Sequence, residues 1–158
     1  YECNAAQIPL QTEVSFLQNF LQLEKLRHNE NVSVRLNCPE QIPMYLGIAP
    51  FVLMTFLENA FKHVSKHSDQ ANWIQMEIEV QGNSLIVRVQ NSFSDFAQKE
   101  AISYGGIGLQ NVQRRLDLMY PDQYQLDIAA NEGLFTVDLQ LQLDTLTDIH
   151  PNQAAILV

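Results

Sequence analysis

Two pairs of alternating segments constrain the fold of this chain more than any other feature. Residues 73–80, WIQMEIEV, and 85–91, LIVRVQN, alternate apolar and polar side chains on either side of the short connection QGNS. Residues 124–130, YQLDIAA, and 134–143, LFTVDLQLQL, repeat this pattern around NEG. Strict alternation has the two-residue period of a half-buried strand, and a short Gly-containing connection is typical of a hairpin. The sequence therefore predicts two antiparallel hairpins, each with one apolar face.

Three further segments have the 3.6-residue period of an amphipathic helix. The first, residues 10–27, follows Pro9, a residue that suits the first turn of a helix. One of its faces carries a stripe of four apolar side chains: Leu10, Val14, Leu17 and Leu21. Residues 50–66 are predicted as a central helix. A third helix is predicted to open at the Gly-rich sequence GGIG and to end before Pro121.

The order of these elements predicts the fold class. A short strand is expected where Val32, Val34 and Leu36 alternate with polar residues. The chain then runs helix, strand, helix, two strands, an irregular loop over 92–104, helix and two strands. Because most strands follow one another without an intervening helix, a doubly wound parallel sheet is a poor fit. We predict an α/β (α+β) two-layer sandwich, in which helices cover one face of a mixed, mostly antiparallel sheet.

Composition limits the ligands and the compartment. The chain has 158 residues, enough for one domain, and a formal net charge of −9. So acidic a chain is not expected to bind nucleic acid, because phosphate recognition needs basic surface. An anionic ligand would need a locally positive site, a helix N-terminus or a metal ion. The two cysteines, Cys3 and Cys38, form no zinc or redox motif and are expected to be free thiols in a reducing compartment.

The chain is expected to be a soluble fragment of a larger protein. Its longest apolar stretch, residues 42–57, contains Pro43 and Pro50 and is shorter than the ~20 residues of a membrane-spanning helix. No signal peptide is recognisable, and the chain starts without Met in the middle of a segment.

The central helix carries an unusual polar group, residues 57–63 with the sequence LENAFKH. Glu58 and Lys62 are four residues apart, as are Asn59 and His63, so all four side chains lie on adjacent strips of one helix face. One interpretation is a solvated face with an ion pair between Glu58 and Lys62 and a histidine at the surface. The other is a binding site.

A second unusual feature is the sequence GGIGLQN at 105–111, which places Gly105, Gly106 and Gly108 at the start of a helix. Glycine permits backbone geometry that other residues resist. The N–H groups of a first helical turn are unpaired and, with the helix dipole, favour anions. The pattern is neither a Walker A loop nor a Rossmann fingerprint. An ordinary turn at the start of a helix is the alternative interpretation.

Together these motifs closely resemble the ATP-binding catalytic domain of sensor histidine kinases, in the GHKL superfamily of DNA gyrase, heat-shock chaperone and mismatch-repair ATPases. FLENAFKH resembles the N box of that family, and GGIGLQNVQRRL resembles its second glycine box. PLQTEVSFLQNFLQLEKLR resembles the segment before the ATPase domain in membrane kinases that partner LytTR-type response regulators. The resemblance covers about residues 9–143. It implies the histidine kinase/gyrase-type ATPase fold.

The resemblance implies ATP and Mg²⁺ as cofactors and assigns roles by position. Asn59 matches the residue that coordinates the Mg²⁺ bridging the ATP phosphates, and an amide oxygen is a suitable hard ligand. Glu58 matches the residue proposed to act as a base or to polarise the incoming nucleophile. Arg114 and Arg115 match only weakly, and a solvated helix face is the alternative for both. The other positions that match the nucleotide site are Lys62, His63, Gly105, Gly106, Gly108, Leu109 and Asn111.

The first glycine box departs from the family pattern of Asp-x-Gly-x-Gly. The matching sequence is VQNSFSDF, so Asn91 stands where the family has an Asp that accepts a hydrogen bond from the adenine amino group. The Asn91 amide oxygen can accept the same bond, although an ionised acceptor forms a bond roughly twice as strong. Phe93 and Asp95 stand near the places where glycines are usual. Leu134 follows Gly133 where the family often has Thr. We expect ATP binding with altered affinity.

The acceptor histidine is expected outside this chain. None of the four histidines has a phosphoacceptor-like context: His28, His63, His67 and His150. Residues 1–28 are predicted as the end of the dimerisation and phosphoacceptor helical region, 29–143 as the ATP-binding catalytic domain, and 144–158 as a loosely structured tail. The apolar stripe on 10–27 then either meets a partner helix in a homodimer or packs back onto the core of its own domain.

The implied function is transfer of the γ-phosphoryl group of ATP to a histidine on a dimerisation helix, for relay to a response regulator. Phosphoryl transfer asks a protein mainly for positioning and charge stabilisation. The implied partners are the phosphoacceptor helices of the same kinase and the regulator. The implied location is the cytoplasmic side of a bacterial inner membrane. Two alternatives remain open: a degenerate ATPase-like interaction module, and a protein serine kinase of the anti-sigma-factor type.

Overall fold

Five strands form the main sheet, and the two predicted hairpins supply four of them. The structure is a computed structural model that describes residues 6–27, 31–64, 71–93 and 106–146. In chain order its elements are β1 (Ile8–Pro9), α1 (Leu10–Arg27), β2 (Val32–Asn37), β3 (Leu46–Ile48), α2 (Val52–Val64), β4 (Asn72–Gln81), β5 (Ser84–Ser92), α3 (Ile107–Met119), β6 (Tyr124–Asn131), β7 (Leu134–Gln142) and β8 (Asp144–Thr145).

The strand order in the main sheet is β2-β4-β5-β7-β6. β2 runs parallel to β4, and the other three pairs are antiparallel. Each hairpin closes through a two-residue loop, since Gln81 pairs with Ser84 and Asn131 pairs with Leu134. The φ angle is 59° at Gly82 and 79° at Gly133, the left-handed backbone that tight hairpin loops require and that glycine adopts without strain. Turn chemistry and alternation thus specify the same pairing.

Apolar side chains on one face of the sheet meet the helices. Along β5, Leu85, Val87 and Val89 are buried, whereas the residues between them are more exposed. α2 packs against β4 and β5, and α1 and α3 pack against α2. Away from the core, Arg88 on β5 pairs with Asp138 on β7, with 2.6 Å between Nε and Oδ1. This arrangement confirms the predicted two-layer sandwich with a mixed, mostly antiparallel sheet.

The apolar stripe of α1 lies within the core. Leu10 and Leu17 are fully buried, and Val14 and Leu21 are nearly so. Aromatic contacts extend this interface, because the Phe20 ring meets the Phe61 ring of α2 edge to face at a centroid distance of 5.6 Å. Of the two alternatives for the stripe, the structure therefore has the one in which it packs onto the core of its own domain.

A second, three-stranded sheet was not predicted from the sequence. β3 pairs antiparallel with β1 on one side and with β8 on the other. The strands are two or three residues long, too short for alternation to identify them. Because β8 contains Asp144 and Thr145, the prediction of a loosely structured tail from residue 144 is wrong for its first two residues. A Cβ atom at Gly47 would lie 2.6 Å from Leu146 Cδ2, so glycine allows this close strand packing.

Several predicted boundaries shift by one or two residues. The helix predicted over 50–66 begins at Val52, and its last two predicted residues lie outside the described part. The third helix begins at Ile107, and the region from 94 to 105 is also outside the described residues. Cys38 is a free, half-buried thiol, whereas Cys3 is not described. In the described ranges, no helix combines the length and the apolar character needed to cross a membrane.

Candidate functional site

The start of α2 is fixed by a side chain from α1. The residues before the helix, Ala49, Pro50 and Phe51, include none of the Ser, Thr, Asp or Asn residues that usually cap a helix. Glu13 takes that role. Its Oε1 accepts hydrogen bonds from Leu53 N at 3.0 Å and Met54 N at 3.2 Å, and its Oε2 accepts one from Phe51 N at 2.9 Å. One carboxylate thus satisfies three backbone donors at the mouth of α2.

α3 holds the same segment from the other side. The Tyr120 hydroxyl accepts a hydrogen bond of 2.8 Å from Ala49 N, and Arg115 Nη2 donates to the Pro50 carbonyl oxygen. Burial raises the pKa of Tyr120 to about 12, so this phenol stays neutral at physiological pH. Arg115 is half-buried. The alternative that Arg115 belongs to a solvated helix face is therefore wrong. Arg114 is exposed, in agreement with that alternative.

Burial also raises the pKa of the Glu13 carboxyl, because a charge in a low-dielectric environment is disfavoured. The three backbone donors and the Arg115 guanidinium act in the opposite direction and lower it. Phe51, just before α2, also contacts α1 through its side chain, because its ring stacks on Phe16 at a centroid distance of 6.3 Å. Phe51 has a φ of 63°, a left-handed conformation that is unusual for a side chain of this size.

Further along α2, three polar residues follow one another at four-residue spacing on one face: Thr55, Asn59 and His63. A Cβ atom at Gly108 would lie 3.4 Å from Thr55 Cγ2, so the first turn of α3 lies against this face. Asn59, one turn beyond Thr55, has a buried Nδ2 atom without a hydrogen-bond partner among the described residues. Buried polar side-chain atoms nearly always have a partner, so this amide marks a place for a ligand or a water molecule.

The start of α3 differs from the start of α2, since none of the described side chains caps it. The N-terminal residue Gly106 has φ −46° and ψ 152°, and its carbonyl accepts from Leu109 N at 2.7 Å and Gln110 N at 3.3 Å. The Leu109 N–H is therefore used inside the helix, and its side chain is buried in the core. The earlier N–H groups, of Ile107 and Gly108, lie at the open mouth of the helix.

The structure describes two of the three glycines at the start of α3. Neither Gly106 nor Gly108 has the left-handed backbone that favours glycine, since among the described glycines only Gly82 and Gly133 have positive φ. At Gly108 an added Cβ would meet Thr55 only at ordinary contact distance. The third predicted glycine, Gly105, lies outside the described residues.

His63 does not lie at the surface as the first interpretation of LENAFKH required. Its half-buried ring packs against Phe135 at a centroid distance of 4.9 Å and against Phe93 at 5.7 Å. Glu58 and Lys62 are both exposed, but the described part of the chain has no ion pair between them. The exposure of Glu58 and Lys62 agrees with a solvated face, whereas the packing of His63 does not agree with a histidine at the surface.

Asn91 continues this line of residues onto the sheet. It is buried on β5 and lies directly opposite Phe135 of β7 in the strand register. Its Nδ2 donates a hydrogen bond of 2.8 Å to the Ser92 carbonyl oxygen. Because a carbonyl oxygen accepts only, this bond fixes the amide orientation and leaves Oδ1 as the free acceptor face.

The structure connects some of the site residues and leaves others exposed beside them. The residues that the structure connects run from the start of α3 across α2 to β5: Gly108, Thr55, Asn59, His63, Phe93, Phe135 and Asn91. Glu58 and Lys62 flank Asn59 on the exposed side of α2, and Asn111 is exposed on α3. Sequence reasoning missed Thr55, Phe135 and Glu13. The four-residue spacing to Asn59 pointed to Thr55, whereas no local pattern identifies Glu13 as the cap of α2.

A protein-family model described as the GHKL domain matches residues 49–142. The chain is similar to the sensor protein LytS of Staphylococcus epidermidis, with 24% identity over 157 residues that cover 93% of this chain and 26% of LytS. It is also similar to the sensor histidine kinase BtsS of Escherichia coli K12, with 21% identity over 129 residues, 82% of this chain and 22% of BtsS. The chain spans about a quarter of the length of these relatives.

Solved structures share the fold. The histidine kinase domain of a blue-light activated histidine kinase from Erythrobacter litoralis superposes with a TM-score of 0.58 and 14% identity, over 82% of this chain and 60% of that chain. The nucleotide-free catalytic domain of histidine kinase ThkA gives a TM-score of 0.58 and 12% identity, over 89% of this chain and 97% of that chain. The family match covers more than half of the chain, including α2 and α3. This chain therefore belongs to the GHKL family.

Proposed function

We propose that this chain is the ATP-binding catalytic domain of a sensor histidine kinase. In the reaction, a histidine nitrogen on a dimerisation helix outside this chain forms a bond to the γ-phosphorus of ATP. The bond from that phosphorus to the β–γ bridging oxygen breaks, and ADP leaves. The observation that carries the proposal is the Asn59 Nδ2 atom, which is buried without a partner among the described residues on the face of α2 that adjoins α3.

The Asn59 amide fits the requirements of a magnesium ligand. The atom without a partner is Nδ2, which can donate to a phosphate oxygen. Rotation of the amide by half a turn presents Oδ1 instead, a hard oxygen of the kind that Mg²⁺ accepts. Mg²⁺ usually has few protein ligands and keeps water and phosphate oxygens, so one amide suffices on the protein side. When bound, the metal neutralises charge on the phosphates.

The open start of α3 supplies the second contact to the phosphates. In the described part of the chain no side chain caps the N–H groups of Ile107 and Gly108, and they carry the positive end of the helix dipole. Lys62 adds a cation one turn after Glu58 on α2. These groups give an acidic domain of net charge −9 a locally positive place for a polyanion.

Glu58 is the residue we assign to the nucleophile. Its carboxylate is exposed on α2 directly beside Asn59, where a side chain from another domain can reach it. Imidazole attacks only as the neutral base, so a carboxylate that orients the ring through its second N–H group favours the reactive form. In this proposal Asn59 binds the metal and the phosphates, and Glu58 orients the acceptor histidine.

Asn91 supports the choice of an adenine nucleotide. Its Nδ2 is committed to the Ser92 carbonyl oxygen, so the free side of the amide is the acceptor Oδ1. An acceptor matches the 6-amino group of adenine, whereas guanine and hypoxanthine carry an oxygen at that position and would repel it. Substitution of the usual Asp by Asn therefore weakens the bond to the base but keeps its direction.

The remaining parts of the proposal concern regions beyond this domain. We assign 29–143 to the catalytic domain and residues 1–28 to the end of the helical region that leads from the phosphoacceptor helices. The partners are those helices in a homodimer and a response regulator of the LytTR type. The location is the cytoplasmic face of a bacterial inner membrane. The similarity to LytS and BtsS, a sensor protein and a sensor histidine kinase, supports this assignment.

Calorimetry tests nucleotide binding directly. The chain is titrated with a non-hydrolysable ATP analogue in the presence of Mg²⁺ and again with EDTA, and the matching GTP and ITP analogues serve as base controls. We expect binding that requires Mg²⁺ and favours the adenine analogue. Absence of heat with any analogue at millimolar concentration would overturn the proposal.

Phosphotransfer tests the reaction and separates the two alternatives. The chain is incubated with labelled ATP and a supplied acceptor-helix domain from the same kinase, and the labelled product is exposed to acid. We expect an acid-labile phosphohistidine. Nucleotide binding without transfer would indicate a degenerate interaction module, and an acid-stable phosphoserine would indicate a serine kinase.

A further inference from the structure

The hydrogen bonds of Glu13 join parts of the chain that are distant in sequence. Glu13 lies on α1 and has no exposed surface, while its three donors lie 38 to 41 residues later, at the start of α2. In the described part of the chain, Glu13 is the only side chain that accepts hydrogen bonds from the backbone N–H groups at the start of α2. The hydrogen bonds that cap the start of α2 therefore depend on the position of α1.

A local cap would meet the same need at lower cost. Burying a carboxylate is unfavourable, even when it is hydrogen-bonded, and a Ser or Asp immediately before α2 would satisfy the same donors at the surface. The chain instead has Phe51 at that place, in a left-handed conformation. A buried, long-range cap is the arrangement expected where the relative position of two helices matters, and not only the stability of one.

The segment before α2 also receives two contacts from α3. Arg115 binds the Pro50 carbonyl, and Tyr120 binds the Ala49 N–H. α1 and α3 therefore hold adjacent residues of one short segment. Asn59 lies about two turns further along α2, and the start of α3 lies against the turn between them, at Thr55. A displacement of α1 is thus passed to the space between Asn59 and the start of α3.

We propose that Glu13 is a positioning residue, through which α1 sets the place of Asn59 relative to α3 and so the affinity for Mg·nucleotide. The inference rests on the proposed function, because Asn59 and α3 are the groups assigned to the phosphates. It adds that the helix leading into the domain controls nucleotide affinity through one carboxylate. Movement of α1 that withdraws Glu13 lowers the affinity without contact between α1 and the nucleotide.

The test compares Glu13→Gln with Glu24→Gln. Glutamine keeps one acceptor oxygen at residue 13 but turns an NH₂ group toward backbone donors. Glu24 is the matched control, since it is also a buried carboxylate on α1 but forms an ion pair with Arg27, at 3.5 Å, near the far end of the helix. Calorimetry with the Mg·ATP analogue is performed under conditions in which denaturation curves show each variant to be folded. If Glu13→Gln does not fold, Glu13→Asp takes its place, keeping the charge with a shorter reach.

We expect the variant at Glu13 to bind the analogue roughly tenfold more weakly, and Glu24→Gln to bind like the unsubstituted chain. The Asn59 side-chain amide resonance moves in the Glu13 variant without nucleotide present, and hydrogen exchange at Leu53 and Met54 accelerates. A purely structural role would lower stability but leave the affinity of the folded fraction unchanged. An unchanged affinity in a folded Glu13 variant overturns the inference alone, whereas no binding by the unsubstituted chain overturns it together with the proposed function.

Discussion

The two ends of α2 differ in how their polar groups are satisfied. At its start, Glu13 accepts from three backbone N–H groups, and Tyr120 and Arg115 bind the residues just before it. In its second half, the Asn59 amide is buried with an atom that has no partner among the described residues. Glu58, beside it, is exposed. The helix thus begins with three backbone donors bound by one carboxylate, and in its second half it has a buried side-chain donor without a partner among the described residues.

The difference separates structural from functional polar groups. An unsatisfied buried amide costs about 1–3 kcal/mol and persists only where the surrounding structure compensates for it. The bonds at the start of α2 are such a compensation, because they fix the helix that holds Asn59 in place. The comparison predicts that substitutions at the start of α2 reduce stability, with Glu13 also affecting nucleotide affinity as proposed above, whereas substitutions at Asn59 and Glu58 reduce function with little effect on stability.

Asn59→Ala should have the largest effect on function. It removes the amide that we assign to Mg²⁺, so we expect no detectable binding of the Mg·ATP analogue at millimolar concentration. Stability should change by less than about 1 kcal/mol, because the lost amide had an unsatisfied donor. Calorimetry and urea denaturation measure the two quantities. Asn37→Ala, at an exposed asparagine on β2, is the control and should alter neither. Loss of stability in place of binding would reverse the comparison.

Glu58→Gln should act on the reaction and spare binding. The amide is nearly isosteric but cannot accept a proton or strongly polarise an imidazole, so we expect phosphotransfer to fall roughly 100-fold. Affinity for the analogue should stay within about threefold, since Glu58 is exposed beside Asn59 and is not among the groups that we assign to the phosphates. Single-turnover transfer to the acceptor-helix domain gives the rate. A variant that transfers at the normal rate would remove Glu58 from the mechanism.

The elements that sequence reasoning found are those with a local pattern. Alternation and the turn residues Gly82 and Gly133 identified both hairpins, and the 3.6-residue period identified the three helices of the described residues. The small sheet escaped because its strands have no measurable period, and Asp144 and Thr145 were therefore placed in a tail. Local patterns report only on contacts between residues that are close in sequence.

The same limit explains the candidate site. Asn59 and the start of α3 lie within motifs, and the four-residue spacing was enough to place Asn59 and His63 on one face of α2, although Thr55, one turn earlier, was missed. The cap by Glu13 spans about forty residues, and nothing in the sequence LQTEVSF distinguishes a buried carboxylate from a surface one. Backbone angles are likewise hidden, since nothing in the sequence indicates that Phe51 has a left-handed conformation.

Tyr120→Phe should weaken the start of α2 without touching the site. It leaves the Ala49 N–H buried without its 2.8 Å partner, so we expect a loss of about 1–2 kcal/mol in the free energy of unfolding. Tyr124→Phe is the matched control, since that hydroxyl bonds Asp117 in an exposed position and should matter less. Urea denaturation of both variants measures the difference. Equal losses of unfolding free energy in the two variants would mean that the bond from Ala49 N to Tyr120 stabilises the fold no more than an exposed hydrogen bond does.

The smallest expected effect is a change with pH in the contribution of Glu13 to the free energy of unfolding. Burial raises its pKa above the ordinary value of 4.5, so the folded state favours the protonated carboxyl more than the unfolded state does. The stability that this adds is complete below pH 4.5 and is lost as the pH rises through the raised pKa. The stability advantage of the unsubstituted chain over Glu13→Gln should therefore shrink from pH 4 to pH 8. Comparing denaturation curves of the two proteins at each pH cancels every other titrating group, and Glu24→Gln, which retains Glu13, should keep the slope. An advantage that grows with pH would show that the three backbone donors and Arg115 outweigh burial, so that the charged form of Glu13 is the one that holds α1 to α2.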